Sequence, residues 1–132
     1  MGKIGGGALK RSTPVTLLSA QVFDNVTTTK NSSGVDCRGY REGLLHLDML
    51  STLTPTTIQF ILQFSDDGGT TWRSHLQGPW ASMFFEDTVM ASQIYEAYSF
   101  PVVGKLFRLR AVAVGTSATL KFTVTAKVEF RN

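Results

Sequence analysis

The sequence predicts an all-β protein, an antiparallel β-sandwich of seven to eight strands, immunoglobulin-like or jelly-roll-like in arrangement. Three observations carry this expectation. In LKFTVTAKVEF, residues 120–130, Leu120, Phe122, Val124, Ala126, Val128 and Phe130 alternate with Lys121, Thr123, Thr125, Lys127 and Glu129. A period of two held over such a length gives a strand one buried and one wet face. The same alternation recurs upstream in Ile58, Phe60, Leu62 and Phe64, and in Leu45, Leu47 and Met49. Breaks rich in Gly, Pro, Asn and Ser separate these runs at the spacing of short strands, as two facing sheets require.

Taken in order, residues 1–12 (MGKIGGGALKRS) are too glycine-rich and polar for a strand and read as a flexible basic arm. Residues 13–132 then form one sandwich domain. SAQVFDNV supplies a strand near the amino end, LLHLDML a second and TIQFILQF a third, with WRSHL as a short return strand. Residues 79–101 are ambiguous: ASQIYEAY fits about two helical turns, while Tyr95, Tyr98 and Phe100 equally suit edge strands. LFRLRAVAV places Phe107, Leu109, Ala111 and Ala113 on one face. Its GTSA link to the last strand predicts a hairpin over residues 106–130.

At 132 residues the chain is long enough to bury a core without staples. A net charge of +3 is too small to argue nucleic-acid binding, so no specific nucleic-acid partner is expected. The single cysteine, Cys37, excludes an intrachain disulfide and a cysteine-rich zinc site, and suits folding in a reducing cytoplasm. No apolar run approaches the roughly 18 residues of a membrane span. The segment after Arg11 is broken by Ser12, Thr13, Pro14 and Thr16, unlike a signal peptide. Gly2 lacks the hydroxyl residue that myristoylation needs, because that position is Gly6.

SDDGGTTW, residues 65–72, is the most distinctive motif. Ser65, Asp67, Gly69, Thr71 and Trp72 match Ser-x-Asp-x-Gly-x-Thr-Trp, the Asp-box pattern of sialidases and related propellers. Asp67 is suited to accept turn amides, and Gly68 and Gly69 take positive φ at little cost. In the families that carry it this box is a structural hairpin away from the catalytic residues, so the resemblance implies a turn. Asp66 and Asp67 without further acidic repeats and a closing glutamate do not make a calcium loop.

No catalytic residue, metal site or cofactor is expected. His46 and Asp48 share a strand face without a third ligand, and Cys37 has no recognised nucleophile signature. Glu86 and Asp87 are adjacent, so in a strand they point to opposite faces. GGGALKR lacks a preceding strand, and VGKLFR lacks the earlier glycine of a phosphate loop. Arg38, Arg41, Arg108 and Arg110 would form a basic face if their strands were neighbours. Tyr40 alone is thin support for base stacking there. Trp72, Trp80 and Tyr95 are the candidate stacking platform of a carbohydrate-binding module.

Three passages resemble small all-β virion structural proteins of tailed bacteriophages. They are GVDCRGYREGLLHLDML (34–50), TIQFILQFSDDGGTTWRSH (57–75) and LFRLRAVAVGTSATLKFTVTAKVEF (106–130), about half of the chain. SFPVVGKLFRLR, residues 99–110, matches that group's approach to the last hairpin, whereas the aromatic stretch around Trp80, Phe84 and Phe85 departs from it. The resemblance implies a non-enzymatic capsid decoration (cement) protein on the particle surface, made in the host cytoplasm. It would bind the major capsid protein or other virion proteins and self-associate on the particle. A tail or tail-tube subunit is the alternative. The contacts expected from it are Lys3, Lys10 and Arg11 of the arm, ordering on an acidic surface, with Arg38 and Arg41. Leu44, Leu50, Val112 and Val114 would add apolar association surface.

Overall fold

The computed structural model describes residues 11–51, 56–74, 84–89, 93–114 and 121–132. Among these are ten strands and no helix: β1 (Val15–Phe23), β2 (Thr29–Asn31), β3 (Val35–Asp36), β4 (Glu42–Ser51), β5 (Thr56–Ser65), β6 (Arg73–Ser74), β7 (Phe84–Val89), β8 (Gln93–Pro101), β9 (Leu106–Val114) and β10 (Phe122–Arg131). They build two antiparallel sheets. One has the order β1-β10-β4-β8. The other has the order β2-β9-β5-β6, with β3 also on β9 and β7 also on β5. The fold is thus an all-β sandwich. Seven of the described strands have six residues or more, and the other three are short rungs of two or three residues.

The alternating residues meet between the sheets. Leu45, Leu47 and Met49 of β4 and Val124, Ala126, Val128 and Phe130 of β10 face Ile58, Phe60, Leu62 and Phe64 of β5 and Phe107, Leu109, Ala111 and Ala113 of β9. All are buried, as the period-two pattern requires. Small side chains lie beside large ones, Ala111 next to Phe60 and Ala126 next to Leu47, which lets the layers fill without voids. At one end Phe64, Phe100, Phe107 and Phe130 bring rings from both sheets together, with centroids 4.8 to 6.3 Å apart.

The expected hairpin over residues 106–130 does not form. β9 pairs with β2, β3 and β5, whereas β10 pairs with β1 and β4 in the opposite sheet. The linking residues 115–120 lie outside the described set. Alternation reports that one face of a strand is buried and is silent on the neighbour. A hairpin and a crossing between facing sheets therefore carry the same pattern. The ambiguous segment resolves toward strands where it is described: β7 and β8 are extended, with Tyr98 turned toward the core and Tyr95 toward solvent.

The boundary of the amino-terminal arm also shifts. Arg11 forms a β-bridge with Arg131. The Ser12 amide donates to the Phe130 carbonyl at 2.8 Å, and the Phe130 amide donates to Ser12 Oγ at 2.8 Å. Arg11 and Ser12 therefore belong to the sheet. Lys3 and Lys10 lie outside the described residues, as do Trp80 and His75.

Candidate functional site

The octet at 65–72 closes the path from β5 to β6 as a hydrogen-bonded turn. Ser65, itself buried, donates from Oγ to Asp67 Oδ1 at 2.8 Å and accepts the Gly69 amide at 3.0 Å. Asp67 Oδ1 also accepts the Thr71 amide at 2.8 Å. Gly68 and Gly69 take φ of 74° and 92°, the left-handed region that glycine enters without penalty. Asp66 is engaged as well: it accepts from Arg73 Nη2 at 2.9 Å and from the Lys105 amide at 3.2 Å. Both carboxylates are thus committed to holding the turn and its return strand. Among the described residues no group of three or more His, Cys, Asp or Glu is placed to hold a metal.

The Thr71 amide, followed by the Ser65 hydroxyl, pulls the Asp67 carboxyl down from its ordinary 3.8 to about 2. The folded value lies below the unfolded one, so this group's contribution to stability is fully present above about pH 4. It is lost as pH falls through about 2. Asp67→Asn should therefore lower the unfolding temperature at neutral pH and narrow its gap from the native chain between pH 4 and 2. Thermal unfolding followed by circular dichroism across that range checks it, and a gap independent of pH would contradict it.

The basic residues expected to act together are divided by the fold. Arg38 is paired with Asp36, donating from Nε at 3.0 Å and from Nη2 at 2.7 Å, and this pairing holds the Asp36 carboxyl down at about 2. Arg41 immediately precedes β4 at one end of the four-stranded sheet, where its amide donates to the Arg131 carbonyl at 3.0 Å. With Arg11 bridged to Arg131 from the other side, the backbones of Arg11, Arg131 and Arg41 adjoin there. Arg131 forms an ion pair with Glu42. Among the described residues neither Arg11 nor Arg41 has an ion-pair partner. Arg131 escapes a reading of sequence, because only the pairing of β10 with β4 brings it beside Arg41. Arg108 and Arg110 stand on the outer face of the other sheet.

The aromatic residues are divided too. Trp72 lies on the outside of the six-stranded sheet. Arg108 stacks over its ring at 4.6 Å, and the backbone of Gly34 and Gly69 closes on its six-membered ring. Tyr95, 69% exposed, stands on the outside of the four-stranded sheet. Opposite faces of a sandwich cannot present one stacking platform, so Trp72 and Tyr95 do not combine to grip a sugar.

Beside Tyr95, the residues His46, Asp48, Thr125 and Lys127 line a shallow depression of about 360 Å³. His46 lies 3.7 Å from Glu129. Cys37 is far from this chemistry, buried inside the sandwich with its thiol donating to the Gly104 carbonyl at 3.3 Å. Burial pushes that thiol up to about 12, so at neutral pH it is protonated and a poor nucleophile.

The expected apolar association residues separate likewise. Leu50 is exposed on the outer face of the four-stranded sheet, near exposed Val22 and Tyr95, while Leu44 is half-buried on the same face six residues away along β4. Val112 is half-buried on the opposite sheet, and the side chain of Val114 lies outside the described set. In comparison with known proteins, the chain matches no family model and none of the curated sequences.

Proposed function

We propose that the chain is a non-enzymatic structural protein of a tailed-bacteriophage particle, a capsid decoration (cement) protein that binds the major capsid protein and stabilises the head. The observation that carries this reading is that Arg11, Arg131 and Arg41 are backbone neighbours at one end of the four-stranded sheet, with Arg11 and Arg41 exposed and without an ion-pair partner among the described residues. A rigid sandwich supplies the body. The sequence before Arg11 adds Lys3 and Lys10, and ordering that segment on an acidic partner surface would cost entropy that the new contacts offset. The three sequence passages that resemble phage virion proteins point the same way. A tail or tail-tube subunit is the second reading. It is favoured by β8, a nine-residue strand that pairs only with β4 among the described residues and so leaves an edge for stacking.

The test is quantification of the chain in purified particles by mass spectrometry, with full-length protein and with residues 1–10 removed. Full-length chain is expected in abundance comparable with the shell protein, and removal of the segment should lower occupancy several-fold with the unfolding temperature unchanged. Unchanged occupancy would sink the role of the segment. Absence of the full-length chain from particles would sink the function itself.

A further inference from the structure

The outer face of the six-stranded sheet holds an arginine pair separate from the basic arm. Arg108 and Arg110 are two residues apart on β9, so both point away from the core residues Phe107, Leu109 and Ala111. Both are half-buried. Arg108 is held in one pose: its Nε donates to Gln63 Oε1 at 2.8 Å, and its guanidinium lies 4.6 Å over the Trp72 ring. That leaves its Nη groups without a partner among the described residues. The side chain of Arg110, with Asn31 and Ile61 beside it in register, has no hydrogen bond or ion pair among the described residues. Glu86 stands two strands away across β5, next to Gln59.

Two like charges side by side repel, and partial burial removes solvent that would screen them. Desolvation first, and then the charge of Arg110, lowers the proton affinity of Arg108. An arginine stays charged regardless. The pair is therefore a positive site without an ion-pair partner among the described residues, with one guanidinium already oriented for bidentate bonding.

We propose that Arg108 and Arg110 form a docking site for the carboxylates of an extended acidic segment in a partner protein. The spacing fits: alternate residues of an extended peptide lie about 7 Å apart, the same repeat that separates the two arginines along β9. Half-buried Ile61 and Val112 lie in the adjacent rows and suit apolar residues between the acidic ones. A nucleic-acid strand fits less well, because Arg108 occupies the face of Trp72 that a base would stack on. This inference goes beyond the proposed function. It concerns the sheet opposite the one that anchors Arg11, and it needs no particle for its test.

The experiment uses the full chain and a short synthetic peptide of alternating glutamate and valine, with binding followed by calorimetry at low and high salt. The peptide should bind, more weakly at high salt. Arg110→Gln, which removes a guanidinium that makes no hydrogen bond or ion pair among the described residues, should lose about tenfold in affinity with the fold intact. Arg110→Lys should recover only part of the loss, while Arg41→Gln on the other sheet should bind as the native chain does. Three results would overturn the proposal: no peptide binding at millimolar concentration, equal affinity in Arg110→Gln, or an oligothymidylate of the same charge binding as tightly as the peptide. Failure here would leave the particle reading standing, because that reading rests on the other sheet.

Discussion

Phe107→Ala is expected to lower the free energy of unfolding by about 3–5 kcal/mol. The side chain is fully buried on β9 and stands at the centre of the aromatic cluster. Its ring lies 4.8 Å from that of Phe100, 5.5 Å from Phe64 and 6.0 Å from Phe130. Phe64 belongs to its own sheet, and Phe100 and Phe130 come from the facing sheet. Truncation therefore loses the transfer energy of a phenyl group and opens a cavity where the sheets meet. The three remaining rings come from three different strands, so they cannot collapse into that space without moving the sheets. A domain of this size is typically stable by about 5–15 kcal/mol, so the variant would sit near the margin of folding. Urea denaturation measures the loss, and a change below about 1 kcal/mol would show that the cluster does not bind the sheets together.

Gly43→Ala tests the same end from the backbone side and should cost about 1–3 kcal/mol by overpacking. Gly43 opposes Phe100 across the β4–β8 ladder, and the Phe100 ring lies over it. A Cβ at position 43 would stand 2.2 to 2.7 Å from three ring carbons, closer than real contacts allow. Either the ring leaves its place against Phe107 or β8 shifts away from β4. The loss should shrink when Gly43→Ala is combined with Phe100→Leu, since the smaller side chain relieves the clash. Additive losses in the double variant would show that the two positions do not touch.

Burial was readable in the sequence because it is one-dimensional information. The alternation of Leu45, Leu47 and Met49 or of Ile58 to Phe64 states which side of a strand faces inward, whatever the neighbour. The turn at 65–72 was readable for a related reason. Its bonds run between residues two to four positions apart, from Ser65 to Asp67 and Gly69 and from Asp67 to Thr71, so composition alone constrains it.

What was not readable depends on which strands become neighbours. β9 and β10 carry the pattern of a hairpin yet sit in different sheets. Ser12 is tied to Phe130 across 118 positions, which no local signal announces. The four arginines that a linear reading groups together are divided among a paired turn, one end of the four-stranded sheet and the far face of the other. The same arrangement separates Trp72 from Tyr95. Arg131, which completes the cationic end, gains its place only through the register of β10 against β4.

That register matters for function, because it makes each outer face a distinct surface. Arg11, Arg131 and Arg41 adjoin at one end of the four-stranded sheet, while Arg108 and Arg110 stand on the outer face of the other. A protein that works by contact needs such fixed surfaces, and the aromatic core is what holds them in relation. The claim that this contact is with a virion shell is tested most directly by counting the chain in purified particles by quantitative mass spectrometry. Full-length chain is expected at an abundance comparable with the shell protein, retained through washing; a trace amount, or none, would contradict a role on the shell.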